Sequence, residues 1–388
     1  MIKSIESKVS FKSKLPEVGT SIFTIMSKMA LEYNAINLAQ GFPDFNCSNK
    51  LLQLVNHYQK KGFNQYAPMP GVPELREQIS ALIKKLYGKI YDKDNEITIN
   101  AGATQAIYTA ITATVQTGDE VIIIEPAYDS YVPGVKAAGG IPVFVKLNPQ
   151  DYSYNWDEIR RSISEKTKLM ILNSPHNPTG SLITEDDIKQ LEELIENTNI
   201  LIISDEVYEH IVFDGERHIS FAESEILVRR SFVISSFGKT FHTTGWKMGY
   251  CAAPELLTNE FRKMHQFIVF SANTPIQYAY ADYLQDETHY NSLGDFYQKK
   301  RDTFRGRIKN SKFKLMPCMG TYFQLLEYAD VSELDDMKFS EYLTKEVGIA
   351  VIPISPFYDE GDTNKIIRIC FAKRDEVLIE AANILSKL

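Results

Sequence analysis

Short runs of β-branched and aliphatic residues alternate along the chain with segments whose apolar residues recur at helical spacing. The runs are Glu96–Ile99, Val121–Ile124, Leu169–Leu172, Ile200–Ile203 and Phe232–Ile234. Runs without polar alternation are typical of strands buried on both faces, as in a mainly parallel sheet. Between two of them, Thr184 followed by Asp187 predicts the start of a helix. The pattern predicts a large α/β domain over residues 46–280, with helices flanking its sheet.

The last hundred residues follow a different pattern, in which helices enclose a group of strands. The elements predicted there are a helix over 339–347 ended by Gly348, strands at 348–355 and 364–372, and a final helix over 377–388. This pattern predicts a smaller α+β domain over residues 281–388. Residues 1–45 are too few for a core of their own, and we expect them to pack on this smaller domain.

Composition and charge narrow the functional classes. Lys and Arg number 42 against 50 Asp and Glu, which gives a net charge of −8. No basic block is present, so the sequence predicts neither nucleic-acid binding nor an anionic membrane surface as a partner. Residues 1–16 lack the apolar core of a secretory signal, and the apolar runs are too short to span a membrane. Four scattered cysteines predict no metal site, no disulfide framework and a cytoplasmic location.

Candidate chemistry lies directly after the predicted strands, where parallel α/β sheets bind ligands. The first strand is followed by Ala101–Gln105, small residues that open a helix. Free N–H groups at such a helix N-terminus suit a phosphate, although a tight structural turn explains these residues equally well. The third is followed by Asn173–Gly180, where two prolines and a glycine fix a loop around Asn177. Turn chemistry alone could explain this loop too.

The next two strand ends carry ionisable groups. Asp205 ends one run and Tyr208 follows it three residues later, while Lys239 follows the run Phe232–Ile234. A carboxylate at the end of a buried strand is costly unless it meets a positive partner. A lysine entering a desolvated site loses its proton more easily than a surface lysine. Pyridoxal 5'-phosphate (PLP) needs this set of groups, because its aldehyde condenses with an amine and its ring nitrogen and phosphate need a carboxylate and N–H donors.

The chain resembles the fold-type I aminotransferases of class I/II that use PLP. It is most similar to the branch of methionine and kynurenine–glutamine aminotransferases. The segments that carry the resemblance are 37–45, 64–66, 118–131, 173–180, 204–208 and 236–249, in the order of the family. The resemblance implies an α/β fold with a mainly parallel sheet, a homodimer with shared active sites, and transfer of an amino group from an amino acid to a 2-oxo acid.

The resemblance also implies a role for each matching residue. Lys239 is the expected Schiff-base lysine, and Asp205 is the expected partner of the ring nitrogen. Tyr208 and Asn177 are expected to donate to the ring oxygen, and Tyr128 to stack on the ring. The expected phosphate ligands are Gly102, Ala103, Thr104, Ser236, Lys247 and Tyr66, the last lent to the neighbouring subunit. Arg368 is expected to grip the substrate α-carboxylate, beside Gly41 and Asn177.

Substrate choice is the least specified property. No second arginine in these segments is available for a distal acid, and 265–270 together with Tyr128 offer aromatic and apolar groups, although core packing explains 265–270 equally well. We therefore expect methionine, phenylalanine, tyrosine, leucine, glutamine or kynurenine as donor rather than aspartate. Ser271 stands where some kynurenine-active relatives carry a histidine, which counts against kynurenine. A carbon–sulfur β-lyase acting on cysteine S-conjugates, which shares every cofactor residue, is the alternative function. The absence of a G-x-G-x-x-G turn disfavours a nicotinamide dehydrogenase.

Overall fold

A seven-stranded mixed sheet forms the centre of the computed structural model, which describes residues 11–361 and 365–388. The strands are β1 (Ile36–Asn37), β2 (Ile97–Asn100), β3 (Glu120–Glu125), β4 (Ile141–Lys146), β5 (Thr167–Asn173), β6 (Leu201–Asp205), β7 (Ser231–Ser236), β8 (Gly249–Ala252), β9 (Lys314–Leu315), β10 (Phe323–Glu327), β11 (Ile349–Ala350), β12 (Ile352–Pro353) and β13 (Ile366–Cys370). The large sheet has the order β2-β8-β7-β6-β5-β3-β4, and only β8 runs antiparallel to its neighbours. The predicted α/β fold with a mainly parallel sheet is confirmed.

Helices cover both faces of this sheet and surround the C-terminal strands. Their bounds are α1 (Ile22–Glu32), α2 (Asn49–Lys60), α3 (Pro73–Tyr87), α4 (Ala103–Thr114), α5 (Tyr131–Ala138), α6 (Trp156–Ser162), α7 (Glu185–Ile195), α8 (Phe237–Thr240), α9 (Glu255–Ile268), α10 (Thr274–Tyr283), α11 (Thr288–Asn291), α12 (Leu293–Ile308), α13 (Asp336–Tyr342) and α14 (Asp375–Leu385). The predicted helix start at Thr184 is confirmed, because Thr184 and Asp187 form a reciprocal capping box on α7. Within the described residues no helix is both long and apolar enough to cross a membrane.

The C-terminal strands form a second sheet of order β12-β13-β10-β9. Helix α13 continues as a π-helical turn to Val347, and Gly348 ends it at φ 83°, as predicted. Strand β1 pairs in parallel with β11, so the N-terminal segment joins the C-terminal part of the chain. The division into domains 1–45, 46–280 and 281–388 stays a prediction, and residues 1–10 and 362–364 lie outside the described part of the chain.

Candidate active site

The carboxyl ends of β5, β6 and β7 meet at one edge of the large sheet. In the parallel register Asn173 lies opposite Asp205, and Lys239 follows β7 on the short helix α8. A cavity of about 650 Å³ opens at this edge. Twelve of the predicted site residues line it: Gly41, Gly102, Ala103, Thr104, Tyr128, Asn177, Asp205, Tyr208, Ser236, Lys239, Lys247 and Arg368. The sheet topology therefore brings together side chains that are far apart in the sequence.

Lys239 is a buried amine beside two aromatic rings. Its Nζ donates to Tyr322 Oη at 2.8 Å and to the carbonyl oxygen of Gly41 at 3.3 Å. Nζ also lies 5.3 Å from the ring centroids of Tyr208 and Tyr322. Desolvation lowers the pKa of Lys239 to about 8, with a smaller effect in the same direction from Arg368. A substantial fraction of this amine is therefore neutral near physiological pH, as a nucleophile or a proton acceptor must be.

Asp205 is a buried carboxylate whose direct donors are uncharged. Tyr131 Oη donates to its Oδ2 at 2.5 Å, and the backbone N–H of Val207 donates to its Oδ1 at 3.3 Å. Desolvation raises the pKa of Asp205 to about 6, and these hydrogen bonds and the charge of Lys239 limit the rise. Sequence reasoning expected a cation as the partner and overlooked Tyr131. The carboxylate is ionised above about pH 6 and faces the cavity, where it can accept a hydrogen bond from a cationic group.

The N-terminus of α4 suits an anion. Gly102 precedes the helix with φ 85°, and the helix has no side-chain cap, so its first N–H groups are not capped by a side chain. A Cβ on Gly102 would lie 3.4 Å from Lys247 Cε, which shows how closely this lysine approaches the turn. Thr104 and Ser236 add hydroxyl groups to the same wall of the cavity. This set of N–H, hydroxyl and ammonium donors fits a phosphate.

Arg368 projects from β13 at the opposite side of the cavity. Its Nη1 donates to Asn177 Oδ1 at 2.7 Å, and its Cζ lies 3.9 Å from the ring centroid of Phe323. Desolvation lowers the pKa of Arg368 to about 10, which leaves it a cation at neutral pH. Among the described residues it forms no ion pair, so its charge can be matched by the carboxylate of a ligand. The bond to Arg368 engages the oxygen of Asn177 and leaves its amide N–H groups for another acceptor.

Two aromatic residues complete the inner wall. The ring of Tyr208 packs edge to face against that of Tyr322, with 5.1 Å between centroids. Burial raises the pKa of Tyr208, so its hydroxyl keeps its proton and is a hydrogen-bond donor. Tyr128 packs against Tyr131 in the same geometry at 5.7 Å.

Tyr66 lies apart from the cavity of its own chain. Its side chain is 83% exposed, and its ring packs edge to face against Phe270 at 5.4 Å. This exposed position is compatible with the predicted contact between Tyr66 and a neighbouring subunit.

The segment 265–270 does not line the cavity of its own chain, so the alternative of core packing fits its buried part better. His265 is buried at hydrogen-bonding distance from Asn100 and Gln105, whereas Phe267 is 86% exposed. The apolar wall comes instead from Phe23 on α1 and from Phe42 and Phe323. Sequence reasoning overlooked Phe23 because the N-terminal segment before residue 37 carries no recognised motif.

The fold and the site define an α/β enzyme with a desolvated lysine, a strand-end carboxylate, an uncapped helix N-terminus and a buried arginine without an ion-pair partner among the described residues, all around one cavity. Residues 33–385 match the family model for aminotransferase class I and II. The chain belongs to this family and is an aminotransferase of fold type I.

Individual relatives agree with this assignment over nearly the whole chain. The methionine aminotransferase of Escherichia coli is 47% identical over 378 residues, which cover 97% of this chain and 98% of that protein. The kynurenine–oxoglutarate transaminase of Dictyostelium discoideum is 34% identical, over 95% of this chain and 94% of its own length. The crystal structure of Escherichia coli YbdL, for which a methionine aminotransferase function was identified, superposes with a TM-score of 0.96 at 47% identity, over 98% of this chain and 100% of that one. These relatives favour an aminotransferase over the β-lyase alternative.

Proposed function

We propose that this aminotransferase uses PLP and prefers an apolar, aromatic or sulfur-containing amino donor. The observation that carries the cofactor assignment is the common cavity shared by Lys239, Asp205 and the uncapped N-terminus of α4. When bound, PLP supplies an aldehyde for an amine and a protonated ring that withdraws electrons from the substrate Cα. The donor set fits this cofactor, since each of its charged or polar groups has a complementary partner.

Different residues would bind different parts of the cofactor. The first N–H groups of α4, with Thr104, Ser236 and Lys247, would hold the phosphate. Asp205 would hold the proton on the ring nitrogen, and Tyr128 would stack on the ring. Tyr208 and the amide N–H groups of Asn177 would donate to the ring oxygen.

Lys239 moves the proton of the reaction. Its amine, with the pKa lowered to about 8, would take the proton from the substrate Cα and hold it for the return transfer, while the bound cofactor would supply the electron sink. Arg368 holds the α-carboxylate through its planar fork, and this contact orients the Cα proton toward Lys239. The same residues serve both halves of a ping-pong cycle, because donor and acceptor share the α-carboxylate.

The wall opposite the sheet sets the donor preference. Phe23, Phe42 and Phe323 line it. Among the described residues, Arg368 is the only arginine that lines the cavity. Lys28 is exposed at the mouth, where pairing with a distal acid contributes little. An apolar side chain gains roughly 25 cal/mol per Å² on burial here, and an aspartate side chain would leave a charge without a buried partner. Methionine, phenylalanine, tyrosine, leucine, glutamine and kynurenine are thus the proposed donors.

The assembly is proposed to be a homodimer in the cytoplasm. Exposed Tyr66, beside Phe270, would reach the phosphate of the neighbouring subunit. All four cysteines are free, which suits a reducing compartment.

The test is a panel of amino donors with one shared 2-oxo acid. We expect kcat/KM for methionine to exceed that for aspartate, and Lys239→Ala to lose turnover by several orders of magnitude. Aspartate equal to methionine would refute the donor proposal, and near wild-type turnover of Lys239→Ala would refute the cofactor chemistry. Thiol release from cystathionine, measured in parallel, would reveal the β-lyase alternative.

A further inference from the structure

Tyr322 lies behind Lys239, on the side away from the cavity. It directly precedes β10 and is fully buried, and it does not itself line the cavity. Its Oη donates to the Gly41 carbonyl oxygen at 2.6 Å and accepts from Lys239 Nζ at 2.8 Å. This hydroxyl therefore reaches the site through the catalytic amine, a backbone carbonyl and the hydroxyl of Tyr208, with which it also interacts.

The direction of these hydrogen bonds is fixed by the chemistry of the three groups. A carbonyl oxygen only accepts, so the phenol proton must point at Gly41, and burial raises the pKa of Tyr322 so that this proton is kept. The remaining lone pairs of Oη then face the amine. Lys239 Nζ donates to Tyr322 and, at 3.3 Å, to the same carbonyl of Gly41.

This arrangement engages one N–H group of the neutral amine. A neutral lysine has two N–H bonds and one lone pair arranged tetrahedrally about Nζ. Because the two acceptors are only 2.6 Å apart, they lie on the same side of Nζ and share one N–H group, and the lone pair takes a direction away from Tyr322. Gly41 has room for this contact only because it lacks a side chain, since a Cβ there would lie 2.9 Å from Phe323 Cζ.

We infer that Tyr322 is a positioning residue that, together with the Gly41 carbonyl, holds an N–H group of Lys239 away from the cavity and so leaves the lone pair free to face it. This inference rests on the proposed function of Lys239. It assigns Tyr322 to the attack and proton-transfer steps and gives it no direct contact with the phosphate or ring of the cofactor.

A neighbouring tyrosine offers a matched control. Tyr297 is also fully buried, and its ring centroid lies 5.7 Å from that of Tyr322. Its hydroxyl has no hydrogen-bond partner among the described residues. Tyr297→Phe thus removes a phenol oxygen from the same aromatic cluster without removing a hydrogen bond to Lys239.

The experiment compares Tyr322→Phe and Tyr297→Phe in the full chain. The holoenzymes are assayed with methionine and with α-deuterated methionine. In Tyr322→Phe we expect kcat to fall about tenfold to a hundredfold, with KM little changed and a larger isotope effect. Tyr297→Phe should match the wild type in all three quantities.

A second measurement needs no turnover. The full chain freed of cofactor is mixed with PLP, and the rate at which Nζ forms its C=N bond to the aldehyde carbon, with loss of one water, is followed by absorbance. Tyr322→Phe should slow this capture, while its Kd for pyridoxamine 5'-phosphate, which has no aldehyde, should equal that of the wild type. Equal capture rates in the two variants, or a parallel loss of pyridoxamine phosphate binding in Tyr322→Phe, would overturn the inference.

Two further outcomes are covered by the design. If Tyr322→Phe does not fold, 3,5-difluorotyrosine is placed at position 322 instead. This residue keeps the ring and its oxygen but makes the oxygen a weaker hydrogen-bond acceptor. An unchanged rate of PLP capture would then overturn the inference. If Lys239 captures PLP faster in the wild type than in Tyr322→Phe but the wild type transfers no amino group, the proposed function fails while the inference stands.

Discussion

The hydroxyl of Tyr131 donates a hydrogen bond to Oδ2 of Asp205 at 2.5 Å, although the two residues are 74 positions apart in the sequence. Tyr131 begins α5, and Asp205 ends β6. The bond favours the ionised carboxylate, which desolvation and the neighbouring Glu206 disfavour. Tyr131 thereby helps to keep Asp205 in the form that can hold a proton on a ring nitrogen.

The first prediction follows from this pair. In Tyr131→Phe the pKa of Asp205 should rise above its wild-type value of about 6, because a donor to the charged form is lost. The acid limb of the kcat–pH profile should move to higher pH, with kcat at pH 6 lowered about tenfold and a smaller change at pH 8.5. An acid limb that does not move would show that Tyr131 leaves the ionisation of Asp205 unaffected.

The second prediction separates stability from catalysis at Asp205. Its pKa is raised from 3.8 to about 6 by folding, so its favourable contribution is complete below about pH 4 and is lost as the pH rises through 6. At pH 7.5 the ionised side chain destabilises the cofactor-free fold by about 3 kcal/mol relative to the neutral acid. Asp205→Asn keeps an acceptor for Tyr131 and carries no charge.

We therefore expect the cofactor-free Asp205→Asn variant at pH 7.5 to have a Tm equal to or above that of the wild type. The Tm difference should shrink toward pH 5. In the holoenzyme kcat should fall about a hundredfold or more, because the acid that keeps the ring nitrogen protonated is missing. Thermal unfolding at pH 7.5 and pH 5 measures the Tm difference, and steady-state kinetics measure kcat. A lower Tm together with nearly normal turnover would contradict it.

The parts of the site that could be predicted are those that follow strands. Asp205 and Lys239 each follow an uninterrupted apolar run within a few residues, and a parallel sheet brings such ends to one edge. Tyr322 could not be found this way, because it lies 83 residues beyond Lys239 at the start of a strand in the other sheet. Its hydroxyl meets the amine only through the packing of the two sheets.

Two strands of the large sheet were also overlooked, for local reasons. Strand β4 contains Pro142, which interrupts the expected pattern and is tolerated because β4 is an edge strand. Strand β8 is only four residues long and begins with Gly249, so it lacks a β-branched run. Its antiparallel direction could not be inferred, because direction depends on the connection and leaves no residue pattern.

The third prediction concerns the proposed shared site. A Tyr66→Ala subunit keeps Lys239, and a Lys239→Ala subunit keeps Tyr66, so a hybrid dimer regains one complete site if Tyr66 reaches the partner's phosphate. Mixing the two weakly active variants should therefore restore activity well above the sum of the separate proteins. Subunit exchange is verified by native mass spectrometry of differently tagged chains. Exchange without recovered activity would refute the contact across the dimer.

The last prediction concerns Phe23 and donor choice. Its ring lies 5.1 Å from the Cζ of Arg368 and packs edge to face against Phe357 at 5.9 Å. A substrate whose α-carboxylate is held by Arg368 must project its side chain past this ring. Phe23→Ala should lower kcat/KM for methionine and phenylalanine about tenfold or more, since each loses apolar contact.

Alanine is the control donor, because its side chain is too short to contact the apolar wall. A change in its kcat/KM therefore reports a disturbance of Arg368. The kcat/KM for alanine should fall far less than that for methionine in the Phe23→Ala variant. Ile25→Ala is the matched control variant, since Ile25 lies on the same helix α1 and does not line the cavity. A uniform loss for all three donors would mean that Phe23 supports Arg368 and does not select the side chain. A loss that grows with donor size would place the specificity wall on the N-terminal helix.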